Sequence, residues 1–286
     1  MRLRPFQQVD VFTATAYRGN PLAVVLDGSG MSTEAMQQFT DWTNLSEATF
    51  VLPPTPEGRA AGADYRVRIF CPGRELPFAG HPTLGTCHAW LQTGGQPQVA
   101  GRVVQECGVG LVTLRRDGER LAFAAPPLIQ SGPLAEEDVA LIARGLGIAR
   151  SDVVAHAWCD NGPRWRGVLL RSAAQVLALQ PDGAVLAGLD VGVVGATDAA
   201  TGDEAIAFEV RAFLPGHSGL MEDPVTGSLN AALAQWLIGA GLAPARYIAS
   251  QGTALGRAGR VHVQQDGADI WVGGHTVTCI SGTVRL

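Results

Sequence analysis

Tyr65, Val67 and Ile69 alternate with Arg66 and Arg68. A period of two predicts a strand with one buried face. Similar extended runs cover Arg4 to Phe12 and Leu22 to Leu26, with Gly19-Asn20-Pro21 between them, and together they read as a hairpin. Ser32 or Thr33 is placed to cap a helix over Glu34 to Trp42. Met36, Phe39 and Trp42 recur there at three-residue steps and predict one buried face. Asn44-Leu45-Ser46 breaks the pattern before a strand from Glu47 to Leu52, and Pro53 to Gly58 reads as a loop. Further strands are expected over Gly101 to Glu106, Val109 to Arg115 and Arg120 to Ala124, with turns at Gly108 and Asp117-Gly118.

Ala125-Pro126-Pro127 marks a boundary, after which the layout restarts. A helix is predicted over Glu136 to Leu146. Strands follow at Val153 to Trp158, Arg164 to Leu170, Asp190 to Gly195 and Glu204 to Phe213. Strands close the chain at Arg246 to Gln251, Gly259 to Gln264, Ala268 to Val272 and Thr276 to Arg285. The expected domains are therefore 1–126 and 127–286, with the last strand free to pair with the first.

Two segments rhyme across that boundary. Gly80-His81-Pro82-Thr83-Leu84-Gly85 runs into the apolar stretch Thr86 to Leu91. Asp223-Pro224-Val225-Thr226-Gly227-Ser228 runs into Leu229 to Ile238. Proline suits the first turn of a helix, where its missing N–H costs nothing. The helices that follow are apolar nearly all round, so most of their surface must be buried. Two such helix starts would hold an anion, with His81 and Asp223 beside it. The fold class expected is α+β, two pseudo-symmetric lobes, each a curled, mostly antiparallel sheet around a central helix.

Composition narrows the chemistry. Of 286 residues, 47% are hydrophobic and 16% charged, which suits a globular core. The net charge is −5 and no basic run occurs, so a nucleic-acid partner is not expected. No apolar run is long enough to span a bilayer, no signal peptide is read at the start, and no membrane partner is expected. The five cysteines are widely spaced without a CxxC pair, which suggests reduced thiols in a cytoplasmic protein. All 21 basic residues are arginine. Without lysine, neither a pyridoxal phosphate Schiff base nor a Walker-A phosphate site can form. The six histidines lack metal-ligand spacing, Gly216-His217-Ser218-Gly219 is not a nucleophile elbow, and Gly108-Val109-Gly110 is a poor dinucleotide fingerprint.

Three residues remain as candidates for proton chemistry, each with a plainer alternative. Glu47 stands at the mouth of an apolar strand, where desolvation would raise its pKa toward that of a general acid/base. Taken alone, it reads more simply as a solvated loop residue. His81 could be a capping or core histidine, and Asp223 an N-cap or turn residue. Glu222, beside it, reads as solvated and idle.

Taken together, the segments resemble the phenazine-biosynthesis PhzF-like isomerase family. Those segments are Arg18-Gly19-Asn20-Pro21, Asn44 to Val51, Glu75 to Gly85 and Glu222 to Ser228, in the family's order. Asn161-Gly162-Pro163-Arg164 and Gln251-Gly252 with Gly256-Arg257 match as well. The resemblance implies a diaminopimelate-epimerase-like fold with its site in the cleft between lobes, a cofactor-independent isomerase, and a homodimer. By position it makes Glu47 the acid/base that moves a carbon-bound proton on a small anionic carboxylate, with His81 and Asp223 orienting the substrate and relaying protons. Gly80, Gly227 and Ser228 would bind the carboxylate, and Asn20 would touch the substrate. No metal is implied. No cysteine occupies either motif, which argues against a two-thiol epimerase. The rival readings are an amino-acid racemase or epimerase of the same fold, and a non-catalytic small-molecule binder.

Overall fold

The computed structural model describes residues 2–198, 205–216 and 219–286. Glu204, where one sequence-predicted strand begins, and His217-Ser218 lie outside them. The chain forms two compact units, Met1–Ala124 with Gly273–Leu286, and Ala125–Val272.

In the first unit β1 (Leu3–Val11) and β2 (Asn20–Val25) form the expected hairpin. Helix α1 (Thr33–Thr43) follows, then β3 (Ala48–Leu52), the short α2 (Pro56–Ala60), β4 (Tyr65–Cys71) and β5 (Arg74–Leu76). The central helix α3 (Gly80–Gln92) precedes β6 (Arg102–Cys107), β7 (Gly110–Asp117) and β8 (Arg120–Ala124). The C-terminal strand, Thr276–Arg285, returns to pair antiparallel with β1. Helix α3 packs against β1, β2, β3, β6, β8 and the C-terminal strand, so its nearly uniform apolarity is used on most sides. Gly85 permits that closeness, because a Cβ there would stand 2.6 Å from a Leu22 methyl.

In the second unit α4 (Glu136–Gly145) leads into β9 (Val153–Asp160) and β10 (Arg164–Leu170). Then come α5 (Ala173–Ala178), β11 (Val191–Ala196), β12 (Ile206–Gly216) and β13 (Gly219–Asp223). The central helix α6 (Gly227–Gly239) packs against β9, β10 and β15. Strands β14 (Arg246–Gln251), β15 (Gly259–Asp266) and β16 (Asp269–Gly274) complete the order.

The pairing sequence is duplicated. From β1 to β7 consecutive joins run antiparallel to β2, parallel to β3, and antiparallel to β4. Strand β4 then carries the β5 hairpin and a parallel β6, which pairs antiparallel with β7. The same joins in the same order link β9 through β15. The α+β class with a mostly antiparallel sheet and a central helix in each half is therefore the observed architecture.

Several local expectations are corrected. Trp42 is 80% exposed, because the helix buries Met36, Phe39 and Thr40 and turns Trp42 to the other side. Helix α2 begins inside the Pro53–Gly58 loop, capped by Thr55, whose hydroxyl accepts from Gly58 N–H at 2.9 Å. Strands β5 and β13 and helix α5 are additional to the predicted elements. Pro82 is the third residue of α3, but Pro224 lies ahead of Thr226, the N-cap of α6. The two rhyming motifs thus enter their helices in different registers.

The cap of α1 is Ser32, whose hydroxyl accepts from Ala35 N–H at 3.2 Å. Ser32→Ala is expected to lower stability by about 1 kcal/mol. A urea midpoint shift of that size, with an unchanged slope, checks it.

Candidate functional site

Three of the first unit's candidates converge at the start of α3. Asn44 ends α1 in the left-handed region (φ 56), which a short polar side chain tolerates. The chain then reverses through Leu45 and Ser46, so that Glu47 stands immediately before β3. Strand β3 is tied to α3 by Thr86 Oγ1 donating to Thr49 Oγ1 at 2.8 Å, both buried. This fixes Glu47 relative to the helix start. His81 Nε2 lies 3.3 Å from Glu47 Oε2.

On its other side His81 Nδ1 is 3.4 Å from Asn20 Nδ2. The two ring nitrogens of His81 thus face Asn20 on one side and Glu47 on the other. His81 is only 4% exposed, and burial lowers its pKa to about 3. The imidazole is neutral at neutral pH. Gly80 and His81 occupy the first turn of α3, whose N–H groups have no partner within the helix.

The depressed pKa has a thermodynamic consequence. Between pH 6.5 and about 3 the unfolded chain binds a proton at this position that the folded protein does not. Its contribution to stability is fully present above pH 6.5 and is lost as pH falls through that window. His81→Asn is expected to flatten that part of the dependence of the urea midpoint on pH. Equal slopes for the two proteins would contradict it.

Asn20 is held in turn by a residue to which the sequence reading gave no role. Asp10 is buried in β1, and its Oδ2 accepts from Arg18 N–H at 2.7 Å and Gly19 N–H at 2.9 Å. These bonds shape the loop that delivers Asn20 to the start of β2. A Cβ on Gly19 would collide with Val11 O, so only glycine fits. The available signal was an aspartate interrupting the apolar run Val9-Asp10-Val11.

In the second unit Asp223 ends β13, opposite Ala212 of β12. Its Oδ2 accepts from Thr226 Oγ1 at 2.6 Å. Gly227 and Ser228 form the first turn of α6. Ser228 is gripped twice. Its Oγ accepts from Trp165 Nε1 at 3.1 Å and its carbonyl from Asn161 Nδ2 at 2.9 Å. Because Oγ accepts from the indole, its own proton is left to donate elsewhere. Neither Thr226 nor Ala79 caps its helix with its side chain. Both starts therefore present first-turn N–H groups of a 13-residue helix, which favour negative charge.

Glu222 is not idle. Arg211 forms a two-pronged ion pair with it at 2.7 and 3.0 Å, and both side chains are buried, at 7% and 11% exposure. Among the described residues no group of three or more His, Cys, Asp or Glu side chains is gathered to hold a metal ion. No helix among them is long and apolar enough to cross a membrane.

Known proteins resemble this chain over nearly its whole length. The family model for phenazine biosynthesis-like proteins (PhzC-PhzF) matches residues 9–282. The chain is 36% identical to antisense-enhancing sequence 1 of Schizosaccharomyces pombe, over 97% of each chain. It is 34% identical to a trans-2,3-dihydro-3-hydroxyanthranilate isomerase of Pseudomonas aeruginosa, covering 91% of this chain and 90% of that one. The crystal structure of a PhzF-family phenazine biosynthesis protein of Bacillus anthracis superposes with a TM-score of 0.83. It covers all of both chains at 23% identity and shares the fold.

Proposed function

We propose that this chain, which belongs to the phenazine biosynthesis-like (PhzC-PhzF) family of isomerases, moves a carbon-bound proton on a small cyclic or unsaturated carboxylate with Glu47 as its acid/base. The observation that carries the reading is the Glu47 carboxylate 3.3 Å from a buried, neutral His81 at the start of α3. A carboxylate there accepts a proton from carbon, and the adjacent imidazole steadies the negative charge on whichever partner holds it.

The chemistry balances with one base. Glu47 takes a proton from one carbon, and the electron pair delocalises through the adjacent unsaturation. The protonated Glu47 then returns the proton at a carbon two positions away. The result is a 1,3-shift with no net change of charge. Racemisation needs donors on both faces of one carbon, so the single Glu47 favours the shift. Helix-start N–H groups stabilise the delocalised anion without reorganising as it forms. Gly80 and Asn20 are assigned to substrate contact beside Glu47 and His81. Gly227 and Ser228 are assigned to the start of α6, where they supply hydrogen bonds to an anionic group, and Asp223, at the end of β13, is assigned to orienting the substrate.

Relatives named as trans-2,3-dihydro-3-hydroxyanthranilate isomerases support this substrate class. Incubation with that compound, and with a panel of small unsaturated carboxylates, in deuterated water tests the reading. Proton NMR is expected to show an isomerised product carrying solvent deuterium at the new C–H position. Binding without turnover or exchange across the panel would overturn the proposal in favour of a binding protein. We further propose that the protein acts as a homodimer without a cofactor. Sedimentation in dilute buffer reads the first, and unchanged turnover after dialysis against chelator the second.

A further inference from the structure

The duplicated strand order places a buried glutamine at one ladder position in each unit. In the first unit Gln105 of β6 stands opposite Tyr65 of β4. In the second Gln251 of β14 stands opposite Val210 of β12, in the corresponding parallel pair. Each glutamine reaches a threonine at the start of its central helix. Gln105 Nε2 donates to Thr83 Oγ1 at 3.0 Å, while its Oε1 accepts from Tyr65 OH at 3.0 Å. Where the first unit has tyrosine the second has valine, so Gln251 Oε1 is released for other donors.

Those donors determine which way the amide faces. Gln251 Oε1 accepts from Thr226 N–H at 3.0 Å and from Asn230 Nδ2 at 2.8 Å. A backbone N–H can only donate, so the oxygen must be on that side. Gln251 Nε2 donates to Asp223 O at 3.1 Å and to Thr226 Oγ1 at 2.8 Å. A carbonyl can only accept, so the nitrogen must be on this one. All four hydrogen-bonding positions of the amide are used, and Gln251 is 0% exposed. Asn230 completes the lock by donating to Thr226 O at 2.9 Å.

The direction then propagates. Thr226 Oγ1 accepts from Gln251, so its proton goes to Asp223 Oδ2 at 2.6 Å. We infer that Gln251 is a positioning residue that sets the direction of a relay, from Gln251 through Thr226 to Asp223, and so keeps a permanent donor on Asp223 Oδ2. A donor held on a carboxylate favours its ionised form. Asp223 is thereby held as an anion and is distinguished from Glu47, which must gain and lose a proton. The inference rests on the reading of Asp223 as part of the working machinery, but its test needs no turnover.

The charged groups on the neighbouring strands and turn include Arg211, Glu222, Glu209, Arg260 and Arg257. Arg211 and Glu222 of the β12–β13 ladder pair with each other. Glu209 of β12 is engaged by Ser250 and Thr253, and Arg260 donates to Ser250 Oγ at 3.0 Å. Helix α6 carries no charged residue. Arg257 stands on the turn after β14, its N–H bonded to Gly252 O at 2.9 Å.

Side-chain carboxyl carbon NMR of aspartate-labelled protein reads the titration of Asp223 directly, with its signal assigned by its loss in Asp223→Asn. Thr226→Val, which deletes the relaying hydroxyl and leaves the Gln251 amide in place, is expected to raise the Asp223 midpoint by about one pH unit, tenfold in its dissociation constant. Gln251→Leu is expected to raise it likewise. Thr226→Ser, which restores the hydroxyl, is expected to match the parent. Gln105→Leu, the same deletion in the other unit, is expected to leave Asp223 unmoved. An unmoved or lowered midpoint in Thr226→Val, or an equal rise in Gln105→Leu, would overturn the relay. If Gln251→Leu does not fold, Thr226→Val against Thr226→Ser decides the matter. Because no substrate is present, a protein without isomerase activity still gives a result. An active protein with an unmoved midpoint would lose the relay alone.

Discussion

Glu47→Gln is expected to reduce turnover by about 10²–10⁴-fold, the range typical for removal of a positioned general acid/base. The substitution is nearly isosteric and keeps an oxygen and an N–H donor at the tip. The Asn20–His81 contact at 3.4 Å and the start of α3 should therefore persist. What is removed is the ability to take a proton from carbon and hand it back. Substrate binding is expected to survive, so the loss falls on kcat rather than on KM. The sharper readout is isotopic. The parent should wash solvent deuterium into product and recovered substrate, whereas Glu47→Gln should do neither. Deuterium uptake at the parent's rate in Glu47→Gln would remove the residue from its assigned role, whatever its effect on net turnover. His81→Asn should give a smaller loss, because His81 is neutral here and carries no proton to carbon.

Glu222→Ala is expected to give the largest loss of stability among these variants, about 3–5 kcal/mol. Arg211 is buried and donates to both Glu222 oxygens. It also reaches Leu179 O at 2.8 Å and Val176 O at 3.2 Å, at the end of α5. Removing the carboxylate leaves a guanidinium in a dry site without its counter-charge. The double replacement Arg211→Met with Glu222→Leu removes both charges and is expected to recover much of the loss. Recovery should be incomplete, since the two carbonyls of α5 lose their donor. Urea unfolding of the two single variants and the double reads this directly. A double variant no more stable than Glu222→Ala would show that the pair contributes through its hydrogen bonds to α5 rather than through charge compensation. Because Glu222 precedes Asp223, the same series shows how far the foundation of β13 governs that residue.

The α+β class, the repeated layout and most strands were legible because they rest on local patterns. Alternation in Tyr65 to Ile69, turn glycines and the apolar runs after His81 and Asp223 each carry their signal within a few residues. The Glu47, His81 and Asp223 segments were legible too, as motifs shared with a family. Two hairpin strands were not. Strands β5 and β13 have three and five residues, and pairing with longer neighbours creates them rather than periodicity. Trp42 was misplaced because a three-residue step drifts around a helix of 3.6 residues per turn, and burial was settled by the packing of Phe39 on Phe6 and Phe50.

The sequence by itself determined which chemistries this protein has the atoms for. It carries no lysine for a Schiff base, no thiol in either motif, and one carboxylate at the mouth of an apolar strand. The tertiary structure alone decided the state and direction of those groups. Burial makes His81 neutral, and folding sets it between Glu47 and Asn20, which Asp10 delivers. Gln251, 28 residues from Asp223 in sequence, orients Thr226 toward it. The reason is physical. A residue type fixes how many donors and acceptors a side chain has, whereas which are used, and in which protonation state, depends on desolvation and on partners brought together only by folding.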